Sequence, residues 1–125
     1  MDFKITISEN GEYIIGKIYE ALNIETAQQL TEEYVKIIKS TGIKKILNDV
    51  RGTPDAMGVF NNYKFAYTDT KVLNLPKDIR AAIVTDPNDN THNFQETVAN
   101  NAGYSVKVFK EIGAAVTWLL EKENR

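Results

Sequence analysis

Three groups of residues have the types and spacing that suit chemistry. Asp49, Arg51, Gly52 and Thr53 follow one apolar run, Thr85, Asp86, Asn88, Asn90 and His92 follow a second, and Lys110 follows a third. An arginine close to a glycine and a threonine suits anion capture, through a guanidinium fork and free backbone N–H groups. Asp49 and Arg51 lie two apart at a strand end, hence on one face, where they form either a bracing ion pair or an anion site. Thr53, Asp86 and Asn90 are equally the residue types that cap helices and shape turns. His92 is the only histidine in the chain. With Asp86 or Asp89 and a threonine it could be drawn as a base, orienting acid and nucleophile, but no nucleophile elbow accompanies it. One histidine and two aspartates fall short of a zinc ligand set, and Asp86 to Asn90 lacks the twelve-residue calcium-loop pattern, so no metal is expected. No Walker loop and no Gly-x-Gly-x-x-Gly follows any strand, so no cofactor is expected either.

These residues need a frame that brings strand ends together. Phe3, Ile5 and Ile7 alternate with polar residues as a half-buried strand does, Asn10-Gly11 is a hairpin turn signal, and Tyr13 to Tyr19 returns antiparallel. Asn23 can cap a helix carrying Ala27, Leu30, Tyr34, Ile37 and Ile38 on one face, and Gly42 can close it. Ile46 to Val50 reads as a strand. Thr53-Pro54 reads as the start of a second helix, with Ala56, Val59, Phe60, Tyr63 and Tyr67 at helical spacing and Phe65 off that stripe. Aromatics so spaced usually form core, and the surplus here could instead line an apolar pocket or a dimer surface. Ile79 to Val84 is nearly continuous apolar sequence, as a strand covered on both faces requires. A short helix from Thr91 or His92 to Ala102, a strand from Tyr104 to Phe109 and a helix carrying Ile112, Ala115, Val116, Leu119 and Leu120 complete the chain, with Trp118 beside that last stripe and a polar tail expected to fray. The order β-β-α-β-α-β-α-β-α implies one α/β domain: a mixed five-stranded sheet with four helices, only the first strand antiparallel.

Length and composition agree with that frame. The chain has 125 residues, a single-domain length, and its 42% hydrophobic and 26% charged residues are those of a globular protein. A formal net charge of −2 without a basic cluster gives no drive toward nucleic acid. The absence of cysteine excludes disulfides and thiolate chemistry. No apolar run approaches a transmembrane span and the first residues read as a strand rather than a signal peptide, so a cytoplasmic protein is expected.

Four stretches carry a resemblance. They are the hairpin Ile5 to Tyr19, the segment Ile46-Leu47-Asn48-Asp49-Val50-Arg51-Gly52, the strand Ile79-Arg80-Ala81-Ala82-Ile83-Val84, and the ending. In that ending Phe94 and Asn101-Ala102-Gly103 lead to Val106-Lys107-Val108-Phe109 and Ala115-Val116-Thr117-Trp118-Leu119. Through them nearly the whole chain resembles the SpoIIAA-like group, relatives of the STAS regulatory domains of bacterial signalling. The resemblance implies a non-enzymatic regulatory or binding domain that meets a protein partner or a small ligand at the C-terminal ends of its parallel strands. STAS domains carry a phosphoacceptor at the start of their second helix, and in Gly52-Thr53-Pro54-Asp55-Ala56-Met57-Gly58 only Thr53 could take that place. Asp49, Thr85 and Lys110 also follow successive strands as in a phosphoaspartate receiver, but the opening hairpin and the lack of an acidic pair after the first strand depart from that pattern. The candidate site is therefore Asp49, Arg51, Gly52, Thr53, Asp86, Asn90 and His92. A carrier of a small apolar or amphipathic ligand, walled by the aromatic second helix, is the alternative reading, and a hydrolase or transferase the third.

Overall fold

The computed structural model describes residues 2–121, so of the tail Glu121 to Arg125 that is expected to fray, all but Glu121 lies outside the described residues. Five strands form one sheet in the order β1-β2-β3-β4-β5. They are β1 (Phe3–Ile7), β2 (Ile14–Ile18), β3 (Lys45–Asp49), β4 (Arg80–Val84) and β5 (Ser105–Phe109). β1 pairs antiparallel with β2, in register Phe3↔Ile18 and Ile7↔Ile14, and every later pair is parallel. The first connection is wider than a two-residue turn. It runs from Ser8 to Tyr13, with the Ser8 hydroxyl accepting from the backbone N–H groups of Glu12 (2.9 Å) and Tyr13 (3.1 Å) and Gly11 in the left-handed region at φ 75°.

Each crossover steps one strand in the same direction, and this stacks the crossover helices on one face. Helix α1 (Ile24–Thr41) starts where Asn23 accepts the Thr26 N–H at 2.8 Å, and it stops where Gly42 turns left-handed at φ 76°. Its Leu30, Tyr34 and Ile38 pack on Ile14, Ile18, Ile46, Ala81 and Ile83 of the sheet. The second crossover is a rod made of α2 (Gly58–Lys64), a π-helical segment (Phe65–Asp69) and α3 (Thr70–Val72). The third is α4 (Asn93–Asn101). The closing helix α5 (Ile112–Leu120) crosses to the opposite face, where Ala115 and Leu119 cover Leu47, Ala82 and Val84. Counting the rod once, four helices flank the five-stranded mixed sheet.

Successive β3 residues point to opposite faces, so Ile46, Asn48 and Val50 face the crossover helices while Leu47 and Asp49 face the α5 side. The one charged residue of β4 holds α5 in place. Arg80 donates to the Trp118 carbonyl at 2.6 Å and lies 4.8 Å from the centre of the Trp118 ring, which itself packs on Phe109. A cation at the last carbonyls of a helix satisfies acceptors that the helix cannot.

The second helix departs from the sequence expectation at its start and in its facing. Thr53 and Pro54 do not begin it. Residues 53–56 run extended beside the loop before α1, with the Ala56 N–H donating to Leu22 O at 2.9 Å and Asp55 bridging Leu22. The helix begins at Gly58, after Asp55 Oδ1 accepts the Met57 N–H at 2.7 Å. From this start Val59, Phe60, Tyr63 and Tyr67 point outward, and the inner face is Asn62, Phe65, Ala66 and Thr70. Asn62 turns inward because its amide has partners there, donating to Asp55 Oδ2 (3.1 Å) and Gly58 O (2.9 Å). The wider π turn then brings Asp69 inward, where it accepts from Lys64 (2.8 Å) and Gln28 (3.0 Å).

Candidate functional site

The strand ends hold the predicted residues in two groups. Asp49 and Arg51 form a bidentate pair on the α5 side, with Nε–Oδ1 at 2.9 Å and Nη2–Oδ2 at 2.7 Å, and Lys17 Nζ stands 3.3 Å from Oδ1. Burial alone would raise the Asp49 carboxyl. Hydrogen bonds from the Arg51 side chain and backbone, with the charges of Lys17 and Arg51, hold it below the usual carboxylate range instead.

The other group braces the loop before the rod. The Gly52 N–H donates to Asp86 Oδ2 at 2.6 Å. Thr53 is 2% exposed, and its hydroxyl donates to Ile18 O at 3.2 Å. His92 is fully buried, donating from Nε2 to Thr53 O at 2.9 Å, with Nδ1 3.1 Å from Gln95 Oε1. Lys110 Nζ donates to Thr85 Oγ1 (3.1 Å), to Asn90 Oδ1 (3.2 Å) and to the Asp89 carbonyl. Asp89 Oδ2 is buried without a hydrogen-bond partner, 3.7 Å from His92 Nε2. Gly52, Thr53, Asp86, Asn90 and His92 thus gather, but their polar atoms bind one another and the backbone. Among the described residues, no group of three or more His, Cys, Asp or Glu is placed to hold a metal ion.

A second place has the opposite character. Between the sheet and the crossover helices lies a cavity of about 110 Å³. Its floor comes from the strands, with Ile18, Ile46, Ala81, Ile83 and Val106 around Asn48, and its walls include Leu30 and Tyr34 of α1 and Phe65 and Ala66 of the π segment. No Asp, Glu, Lys, Arg or His lines it. π-helical turns inside α-helices recur at functional sites, and here one forms the wall.

Asn48 is the only polar side chain of the cavity floor, in the central strand of a parallel array where apolar residues are the rule. Tyr34 Oη donates to Asn48 Oδ1 at 2.6 Å. The Asn48 amide nitrogen has no hydrogen-bond partner among the described residues, although the side chain lines the cavity. Burial pushes the Tyr34 phenol far above its ordinary range, so it stays neutral. The pair needs Gly16 on the neighbouring strand. A Cβ there would fall inside the van der Waals radius of Tyr34 Oη and 2.9 Å from Cζ.

Sequence reasoning took Tyr34 as core and Asn48 as strand, and it missed both as site residues. The available signal was an amide in the middle of an apolar run, paired with a glycine in the neighbouring strand. The aromatics expected to wall a pocket are elsewhere. Phe60 is 77% exposed, Tyr63 packs edge-on against Phe94 and stacks on Tyr67, and only Phe65 reaches the cavity.

No helix among the described residues is long and apolar enough to cross a membrane. No protein-family model matches the chain, and no curated protein matches it. Among solved structures it is similar to an uncharacterized protein of the DUF3478 family with a SpoIIAA-like fold from Shewanella loihica. The two share 19% identity over 94% of this chain and 91% of the other, with a TM-score of 0.55. That likeness, with the hairpin-led mixed sheet and its three crossover helices on one face, establishes the architecture: the chain has a SpoIIAA-like fold.

Proposed function

We propose that this protein is a non-enzymatic binding domain that carries a small, largely apolar molecule in the cavity between sheet and helices. The observation that supports it is the cavity itself, about 110 Å³ with an uncharged lining in a domain of only 125 residues. Protein interiors pack like organic crystals and keep few voids of this size. The side chains around this space forgo the packing contacts that a filled interior would give them. A cavity of about 150 Å³ with an apolar lining stays dry and takes up benzene or xenon. A guest would supply the missing contacts.

The strand-end residues serve this reading as a brace. Gly52–Asp86 ties the loop before the rod to the loop after β4, Thr53–His92–Gln95 ties it to α4, and Gln95 also reaches the cavity lining. A phosphoacceptor role for Thr53 would require its hydroxyl to leave Ile18 O and the loop to open.

A regulatory reading has its own supporting observation. The rod that walls the cavity with Phe65 and Ala66 presents Val59, Phe60, Tyr63 and Tyr67 on its outer side. A guest that shifts the rod would reposition that surface for a protein partner.

Xenon-pressurised NMR of the isotopically labelled protein tests the carrier reading. Shifts confined to the cavity lining, and absent in the filled variant Ala81→Leu, are expected. Shifts spread over the surface, or none at all, would remove the carrier.

A further inference from the structure

The cavity has a chemistry as well as a size. Building on the carrier reading, we propose that the natural guest is a neutral molecule with a hydrocarbon body and one hydrogen-bond-accepting oxygen, which takes the unpartnered amide N–H of Asn48.

Charge is the first argument. A buried carboxylate or ammonium needs a counter-charge or several aimed hydrogen bonds, because an isolated ion loses far more solvation than an apolar cavity returns. The lining offers no Lys, Arg, His, Asp or Glu. The ionised groups of the strand ends are engaged elsewhere. Asp49 with Arg51 and Lys17 lies on the other face of the sheet, and Lys110 is tied to the 85–90 loop.

Position is the second. The floor is apolar except at Asn48, and of the polar side chains in the walls Asn62, Thr70 and Gln95 bond within the protein. Tyr34 fixes which end of that amide is free. Its phenol donates to Oδ1, and the nitrogen is left to donate into the cavity. Asn48 is half-buried and its nitrogen has no acceptor within the protein, so a guest oxygen can take the place that water would otherwise hold. The oxygen of a ketone, ester, ether or alcohol fits this donor.

Size is the third. At about 110 Å³ the space suits a body of roughly six heavy atoms, on the scale of the benzene-binding cavity of about 150 Å³.

The test is a set of NMR titrations of the full chain with three probes: cyclopentanone, methylcyclopentane and cyclopentanecarboxylate at neutral pH. Wild type is compared with Asn48→Leu, and with Asn48→Ala should the first variant fold poorly. Cyclopentanone and methylcyclopentane should both shift cavity residues, and the carboxylate should not. In the Asn48 variants the ratio of cyclopentanone to methylcyclopentane affinity should fall by roughly three- to tenfold, the worth of one hydrogen bond. If neither neutral probe binds, the carrier reading itself is lost. If both bind but the ratio is unchanged in the variants, the carrier stands and the oxygen site on Asn48 is overturned. If the carboxylate binds as tightly as cyclopentanone, the neutrality of the guest is overturned.

Discussion

Replacing Gly16 with alanine should be costly out of proportion to the single methyl added. The new Cβ would overlap Tyr34 Oη and sit 2.9 Å from Cζ, and Tyr34 is only 4% exposed. The ring must therefore swing away and take its hydroxyl from Asn48. Forcing a methyl into a packed core costs about 1–3 kcal/mol. Leaving the amide and phenol without each other costs about 1–3 kcal/mol more. Alanine gives back about 0.4–1 kcal/mol by restricting the unfolded chain. The net is a destabilisation of about 1–6 kcal/mol, a large share of the roughly 5–15 kcal/mol that holds a domain folded. Urea unfolding followed by circular dichroism measures it, provided that the slope stays unchanged. Tyr34→Phe supplies the control, since it removes the overlapping oxygen. In that background Gly16→Ala should cost no more than half as much. Equal costs in the two backgrounds, or less than about 0.5 kcal/mol in the native one, would refute the Gly16–Tyr34–Asn48 arrangement.

Other perturbations probe the remaining parts. Ala81→Leu should fill the cavity, raise unfolding stability by about 0.5–2 kcal/mol and abolish xenon binding, as read by denaturation and NMR together. The Asp49 carboxyl is depressed in the folded protein, so its contribution to stability is complete above the unfolded value of about 3.9 and is lost as pH falls through the lower folded value. Asp49→Asn should therefore lower stability at neutral pH and flatten the acid limb of the stability profile; an unchanged limb contradicts the pairing. His92→Ala should destabilise by about 2–4 kcal/mol by opening a buried cavity and leaving Thr53 O without its donor, and amide exchange should quicken first in the 52–57 loop. If Thr53 is a phosphoacceptor, label on it after incubation with host extract must track that loop opening, and no label under any condition removes the role.

Most of the frame was legible in the sequence because local chemistry and tertiary packing agree there. Asn23 and Gly42 mark both ends of α1 through cap geometry that needs no distant partner. The apolar run of β4 announces burial on both faces, and its exception, Arg80, proves to be the clamp on α5. The rod was misread where long-range contacts decide. Pro54 in the first turn of a helix is a sound local signal, but pairing of 53–56 with Leu22 holds that stretch extended. The later start, with the π segment, turns the aromatic stripe outward and Asn62 inward. Spacing alone cannot show this, because periodicity identifies a stripe and not which stripe the sheet covers. The site divides in the same way. Asp86, Asn90 and His92 were placed by loop composition at the strand ends where they are found. Tyr34, Asn48 and Gly16 come from three different elements, and no local rule joins them.

Native mass spectrometry of the protein isolated gently from its own host tests the carrier most directly. The account predicts an added mass of one small neutral organic molecule on the wild-type chain, released on unfolding and missing from Ala81→Leu. Wild-type protein that folds and carries no added mass, and that also takes up neither xenon nor cyclopentanone, would contradict it.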